Sequence, residues 1–245
     1  PNVSTQAGLN HAAATEGRWY AEGVVPAALL DLITPSVSEP RLKRYQQEPF
    51  ASPQAVIARY LWNIDLAEAL YPTLNAFEVA LRNNLSRQLI EDFGDGWYED
   101  ERFHAILHKS TKRQLEGLLE KFHRENEQRE KRGEQSKPVT SDLVVAESRL
   151  GLWASMFYRH YNEAYWLRSS RLKNVFPGAS NRERRIKSIA RMISAVHELR
   201  DRAAHHEPIF NAPNLRRTHQ DARTLIRWLN PKVEQLWSSP ALMDS

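Results

Sequence analysis

The chain has 245 residues, of which 41% are hydrophobic and 26% charged, and its formal net charge at pH 7 is +4. This length suffices for one large domain or two small ones with a sizeable core, so folding requires neither a metal nor a disulfide. The sequence has no cysteine, which excludes disulfides, thiolate zinc sites and cysteine nucleophiles. It also favours a reducing compartment, for which we expect the cytoplasm.

The beginning of the chain carries weak structural signals. We expect residues 1–24 to be loosely ordered, because this stretch is polar, rich in alanine and only weakly periodic. The longest apolar run near it, residues 23–33, contains Pro26 and Asp31 and is much shorter than the roughly 20 residues of a membrane-spanning helix. No membrane partner is therefore expected, and residues 25–245 are predicted to form a single domain.

The predicted elements are all helices, because helix-favouring residues dominate and apolar residues recur at spacings of three and four. Ser52-Pro53 has the form of a helix start, with serine as the cap and proline in the first turn. The apolar face of this helix is formed by Val56, Ile57, Tyr60, Leu61 and Ile64. It should end near Leu70, because Pro72 is expected to break the helix. A second helix should follow up to Phe93, where Gly94-Asp95-Gly96 should end it.

Further along, a third helical region is predicted from about Glu101 to Arg132. Apolar and aromatic residues then crowd together between Leu143 and Trp166. Tryptophans at helical spacing could stack nucleic-acid bases, but they more often form core, and we interpret this segment as core.

Two more helices complete the predicted all-α chain. The first is capped by Ser180 or Asn181 and should end near His206 or Glu207, since proline disfavours helix in the residue before it. Pro213 and Pro231 bracket the last helix.

Basic residues are concentrated between Arg168 and Arg202, where ten of them stand against three acidic residues. Such an imbalance favours a surface that attracts a polyanion, with Arg184, Arg185 and Lys187 as candidate RNA contacts. A solvated face of basic helices is an equally ordinary explanation.

Ionisable groups concentrate in the sequence HELRDRAAHHEPIF, residues 197–210. Histidine can transfer a proton near neutral pH, and the planar guanidinium of arginine can hold a phosphorane. Arg200 and His205 therefore suit RNA cleavage by the 2′-hydroxyl, without a metal. However, they are five residues apart, hence about 140° around a helix and on different faces. Alternatively, His205 and His206 simply cap terminal carbonyls or bond within the core.

Other catalytic patterns are weaker. His104 and His108 have the i, i+4 spacing of zinc ligands, but Ala105 stands where a metalloprotease has glutamate. No strand-turn-helix pattern surrounds a serine, and no glycine-rich phosphate loop is present in the sequence. We therefore predict neither a metal nor another cofactor.

Motifs along much of the chain resemble the HEPN superfamily, and more closely its Abi-like abortive-infection branch. Arg200, Asp201 and His205 fit the Arg-x4-His motif, followed by the segment His206 to Phe210 typical of that branch. The segments Tyr60 to Leu70, Phe77 to Asn83 and Leu150 to Phe157 are similar to the family's other motifs, and the likeness covers roughly residues 38–237. Asp201 departs from the asparagine most common at that position.

This resemblance implies a HEPN-type helical bundle, a homodimer with a shared active site, and a metal-independent endoribonuclease or toxin that acts in defence against phage. Arg200 would bind the scissile phosphate, and His205 would be the general acid or base, with His206 beside it. Asp201 and Arg202 would support the site. Further supporting residues would be Glu78, Arg82 and Asn83, which could equally form an ion pair and cap between helices.

RNA is the expected partner, as substrate and as a regulatory non-coding RNA. A non-catalytic RNA-binding or dimerisation module, controlled by a partner RNA or protein, is the principal alternative. A DNA-binding repressor that uses Arg182 to Arg191 is a third, but the sequence has no clear helix-turn-helix spacing.

Overall fold

The computed structural model describes residues 33–46, 52–167 and 169–233. These residues form α-helices and one 3-10 helix and include no β-strand, which confirms the predicted all-α class. The segment expected to be loosely ordered, residues 1–24, lies outside the described residues.

The helices follow one another with short connections. In chain order they are α1 (Glu39–Lys43), α2 (Pro53–Phe93), a 3-10 helix (Trp97–Glu99), α3 (Glu101–Ile106), α4 (Lys109–Lys131), α5 (Ser141–Glu147), α6 (Leu150–Ser155), α7 (Tyr161–Ala164), α8 (Ser169–Val175), α9 (Ile186–Ala204) and α10 (Leu215–Leu229).

Helix α2 begins as predicted, with the Ser52 side chain accepting a hydrogen bond from the Ala55 amide at 3.2 Å. The predicted end near Leu70 is wrong, because α2 continues through Pro72 to Phe93. Leu70 and Leu74 are buried on either side of the proline, which is itself exposed. Burial of apolar side chains along the helix outweighs the roughly 3 kcal/mol that an internal proline costs.

The helical region predicted from about Glu101 to Arg132 consists of two helices, α3 and α4, which are separated at Leu107 and His108. Leu107 and His108 have extended backbone conformations. The His108 ring caps α4 by accepting a hydrogen bond from the Ser110 amide, and the His108 amide donates to the Tyr161 hydroxyl at 2.9 Å. These bonds supply the backbone partners that a continuous helix would have supplied.

Helix α9 is shorter than predicted at both ends. Residues 180–185 form a separate turn, in which the Glu183 carboxylate accepts a hydrogen bond from the Ser180 amide at 2.8 Å. Hydrogen bonds from Ser180, first from its side chain and then from this backbone amide, lower the pKa of Glu183. Because that turn precedes the helix, neither Ser180 nor Asn181 caps α9, which begins only at Ile186. The last helix, α10, lies between Pro213 and Pro231 as predicted.

The chain divides into two compact units, and the division falls within α2, α9 and α10. The described part of the first unit comprises residues 33–46, 52–74 and 198–219, and that of the second comprises residues 75–167, 169–197 and 220–233. In the first unit, Ile57 and Ala58 are buried beneath Ile33, Leu42 and Leu61. The expectation of one domain from residue 25 onward stays a prediction.

The second unit has an aromatic core, as predicted for the segment between Leu143 and Trp166. The Trp97 ring lies 5.7 Å from that of Trp153, and the Phe157 ring stacks on Trp166 at 4.9 Å. All four side chains are buried, so this segment does not offer them for base stacking. Within the described part of the chain, no helix is long and apolar enough to cross a membrane.

Candidate functional site

The candidate catalytic residues lie in the first unit, at the end of α9. The His205 amide still makes a helical bond to Asp201 O at 2.9 Å. Two bonds of different spacing then end the helix, from the His206 amide to Ala203 O at 3.2 Å and from the Glu207 amide to Arg202 O at 2.8 Å. This is a Schellman closure, and His206 occupies its left-handed position with φ 54°. The predicted end near His206 or Glu207 is therefore two or three residues too late, since α9 ends at Ala204.

Backbone amides, and not histidine rings, cap this helix end. The carbonyls of Asp201, Arg202 and Ala203 each receive a backbone N–H. The side chains of His205 and His206 are exposed, and within the described residues neither ring has a hydrogen-bond partner. The capping alternative considered from the sequence therefore does not fit this helix end, whereas accessible imidazoles suit proton transfer.

Arg200 and Asp201 form an ion pair on the last turns of α9. The distance between Arg200 Nη1 and Asp201 Oδ1 is 3.3 Å, and the side chains are 32% and 42% exposed. Because the helical bond pattern continues to His205, the separation of about 140° between Arg200 and His205 applies to this helix. One copy of α9 thus presents the two side chains on different faces.

The backbone that follows the histidines is held by three side chains. The Tyr45 hydroxyl donates to His206 O at 3.2 Å, Asn63 Nδ2 donates to Glu207 O at 3.2 Å, and Arg202 donates to Pro208 O. Asn63 Oδ1 then accepts from the amides of Ile209 and Phe210, at 2.6 and 3.4 Å. Three consecutive carbonyls and the next two amides are therefore all satisfied by side chains.

Aromatic rings pack around this turn. The Tyr45 ring meets Tyr60 edge-on at 5.3 Å and lies 6.0 Å from Phe210. Phe210 also contacts Trp62 at 5.6 Å, and 41% of Trp62 remains exposed. Burial, and to a smaller extent the neighbouring Tyr60, raises the pKa of the Tyr45 hydroxyl, which keeps it protonated as a donor.

A charged pair lies at the same turn. Arg44 Nη1 is 3.7 Å from a carboxylate oxygen of Glu207, and both side chains are well exposed. An exposed ion pair of this kind contributes little to stability.

Sequence reasoning missed the roles of Tyr45 and Asn63. It placed Ile64 on the inner face of α2, but Ile64 is 44% exposed whereas Asn63 is only 4% exposed. A buried side-chain amide needs hydrogen-bond partners. The position of Asn63 among apolar helix residues was therefore the feature of the sequence that could have indicated its role. The sequence could not show that those partners come from a segment more than 140 residues away.

Glu78, Arg82 and Asn83 belong to the second unit. The Arg82 guanidinium pairs with the Glu78 carboxylate and donates to Val145 O at 3.3 Å and Ala146 O at 3.4 Å, near the end of α5. Arg82 thus links α2 to α5, and its pair with Glu78 within α2 is the ion pair that the structural alternative expected. The Asn83 side chain is exposed.

The basic residues suggested as RNA contacts also lie in the second unit. Arg185 and Lys187 are exposed, together with Arg182 and Arg191. Arg184 differs from them, because its guanidinium donates to Ala179 O and to the Asn181 side chain.

The two histidines with zinc-like spacing have other partners. His104 Nε2 lies 2.7 Å from Tyr98 O, and His108 Nδ1 lies 2.8 Å from the Ser110 hydroxyl. No cluster of three potential metal ligands from His, Asp or Glu occurs in residues 33–46, 52–167 and 169–233.

Comparison with known families identifies the class of this helical chain. The family model described as Abi-like protein matches residues 34–211, well over half of the chain. The chain therefore belongs to the Abi-like family, which indicates a part in abortive infection, a defence against phage. Comparison with curated proteins and with solved structures gave no match.

Proposed function

We propose that this Abi-like chain is a metal-independent endoribonuclease of the HEPN type, which acts as a toxin that arrests growth during phage infection. The observation that carries the proposal is the end of α9, where Arg200 is followed within two turns by two exposed imidazoles without hydrogen-bond partners among the described residues. Histidine and arginine in that arrangement fit the Arg-x4-His motif.

The reaction is an internal transesterification. A histidine base takes the proton of the ribose 2′-hydroxyl, a bond forms from O2′ to phosphorus, and the bond from phosphorus to O5′ breaks. A protonated histidine delivers a proton to O5′, which leaves as a hydroxyl and yields a 2′,3′-cyclic phosphate. Arg200 would neutralise the phosphorane oxygens through its planar donors. His205 and His206 are the two candidates for the proton-transfer roles.

The angle between Arg200 and His205 favours a site assembled from two copies of α9. In a homodimer, Arg200 of one copy and His205 of the other would face the same phosphate. We propose RNA as substrate in the cytoplasm, with a regulatory RNA or protein partner that keeps the toxin silent.

The decisive experiment is cleavage of RNA by purified protein in EDTA. Wild type should produce fragments that end in a 2′,3′-cyclic phosphate, whereas Arg200→Ala and His205→Ala should lose at least 100-fold in rate. His123→Ala removes an exposed histidine from α4 and should cleave at the wild-type rate. Cleavage that persists in His205→Ala would overturn the catalytic assignment.

A second candidate function is RNA binding without cleavage. It is favoured by the exposed basic side chains of Arg182, Arg185, Lys187 and Arg191. Binding should then weaken steeply with added salt, and the combined Arg185→Ala and Lys187→Ala variant should show a shallower salt dependence. Intact RNA after long incubation with wild type, combined with that salt dependence, would select this function.

A further inference from the structure

The turn after His206 is bonded more completely than an ordinary helix end. Every carbonyl from His206 to Pro208 accepts from a side chain, and Asn63 receives the amides of Ile209 and Phe210. Loop backbone is usually solvated, so an inward set of bonds of this kind fixes the position of the segment.

Asn63 and Tyr45 form one connected unit beneath this turn. Asn63 Nδ2 also donates to the Tyr45 hydroxyl at 3.2 Å, and both side chains are almost completely buried. The Tyr45 ring is further fixed by Tyr60 and Phe210. A buried polar network with satisfied members holds its geometry, because any displacement leaves a polar group unpaired.

His206 has a left-handed backbone conformation that depends on such contacts. Residues other than glycine occupy this conformation at a cost of about 1 kcal/mol or more and persist there when their surroundings fix them. The Tyr45 hydroxyl bonds the carbonyl of that same residue. The network therefore acts on the residue whose backbone sets the direction of the exposed imidazole.

We propose that Asn63 and Tyr45 are positioning residues for the histidine site: they clamp the turn after α9 and thereby set the orientation of the His206 imidazole and the end of the helix that carries His205. This inference rests on the proposed ribonuclease function for its kinetic consequence. The hydrogen bonds by which Asn63 and Tyr45 hold this turn all end on its backbone atoms.

Tyr45→Phe is the smallest test, since it deletes one hydroxyl and keeps the ring packing. If the clamp orients the histidines, kcat for RNA cleavage should fall on the order of 10- to 100-fold while KM stays within about twofold. Tyr98→Phe is the matched control, because Tyr98 is also buried and donates to a carbonyl, Val139 O at 2.8 Å, in the second unit. It should lower the melting temperature comparably and leave kcat unchanged.

Asn63 provides a graded series. Asn63→Ala removes every hydrogen bond that the Asn63 side chain makes. Asn63→Asp keeps an acceptor for the backbone amides of Ile209 and Phe210, so its kcat should lie between those of Asn63→Ala and wild type. Equal kcat in Tyr45→Phe, Tyr98→Phe and wild type would overturn the positioning role, with the ribonuclease proposal intact.

A readout without cleavage separates the two proposals. In Asn63→Ala, amide exchange at Ile209 and Phe210 should speed up at least tenfold and the imidazole NMR signals of His206 should shift, while amides in the second unit keep their protection. Unchanged exchange and unchanged histidine signals would overturn the clamp. If wild type does not cleave RNA, the ribonuclease proposal fails, and these signals alone decide whether the clamp exists.

Discussion

The C-terminal ends of α2 and α9 are built from similar parts and differ in what surrounds them. Each carries an aspartate paired with an arginine, and each is followed by a residue in the left-handed conformation. At the end of α2, Asp92 pairs with Arg171 through two bonds of 2.8 and 3.0 Å, with both side chains only 11% exposed, and Gly94 takes φ 89°. At the end of α9, the pair is between sequence neighbours and half-exposed, and the left-handed residue is His206.

The difference separates a helix end whose charged groups bond one another from a helix end whose ionisable side chains stay accessible. The carboxylate of Asp92 also accepts from the Tyr165 hydroxyl at 2.9 Å, and Arg171 lies 4.3 Å from the centre of the Tyr165 ring. These three side chains bond one another and are largely buried, so they are not accessible to a ligand. The exposed end of α9 keeps its imidazoles accessible and has a histidine where glycine would cost less.

Removal of Asp92 should have the largest effect on stability. Asp92→Ala leaves the largely buried Arg171 charge without its carboxylate and the Tyr165 hydroxyl without its acceptor, so the free energy of unfolding should fall by about 3 kcal/mol. Urea denaturation measures this loss. Asp201→Ala should cost less than about 1 kcal/mol because its pair is exposed. Equal losses in the two variants would contradict the contrast between the ends.

Tyr165→Phe should cost about 1.5–3 kcal/mol at neutral pH, since its hydroxyl bonds a charged carboxylate. Burial, followed by the Asp92 charge, raises the pKa of Tyr165 above its ordinary value of 10. Above pH 10 the unfolded chain releases this proton while the native chain keeps it, so wild type loses stability as the pH rises. Because the phenylalanine variant lacks this loss, the stability gap between the two proteins should narrow in alkaline urea titrations. A gap that widens would contradict the raised pKa.

Gly94→Ala tests the left-handed position at the end of α2. A Cβ there would meet no atom within 4 Å, so the cost comes from the backbone alone and should be about 1 kcal/mol. Thermal unfolding measures it. Gly117→Ala is the control, since Gly117 lies inside α4 with equally open space and without a positive φ, and there alanine should stabilise the helix. If the two substitutions changed stability equally, the left-handed backbone at Gly94 would not be the reason for glycine at that position.

The sequence predicts the helices better than their junctions. Helix-favouring composition and apolar spacing predicted the all-α class, crowded aromatic residues predicted the core, and Ser52-Pro53 predicted the start of α2. Each of these depends on local pattern. Local pattern failed at Pro72, where packing on both sides outweighs the local preference of proline. It also failed at His108, whose ring replaces a helical bond partner.

The residues of the candidate site could be predicted from the sequence, but the contacts that hold them in place could not. The cluster from Arg200 to His206 stands out in the sequence because its residues are contiguous. The support from Asn63 and Tyr45 depends on pairings across more than 140 residues, which one sequence does not reveal. The left-handed φ of His206 was equally hidden, since histidine does not mark that conformation as glycine does.

His206→Gly should therefore produce a small change in stability, and its effect on cleavage is the most informative. Glycine relieves the left-handed strain, so the free energy of unfolding should rise by about 0.5–1 kcal/mol. If the imidazole takes part in RNA cleavage, the same variant should lose activity, and a more stable enzyme with less activity is the expected result.

Asn214→Gly is the matched control, because Asn214 has φ 56° in the same unit and no part in the proposed chemistry. It should change stability by a few tenths of a kcal/mol and leave cleavage at the wild-type rate, because asparagine already tolerates this conformation. If His206→Gly cleaves RNA at the wild-type rate, His205 remains as the candidate for proton transfer. A loss of stability in that variant would instead show that the His206 ring holds the helix end, which the exposed position of that ring argues against.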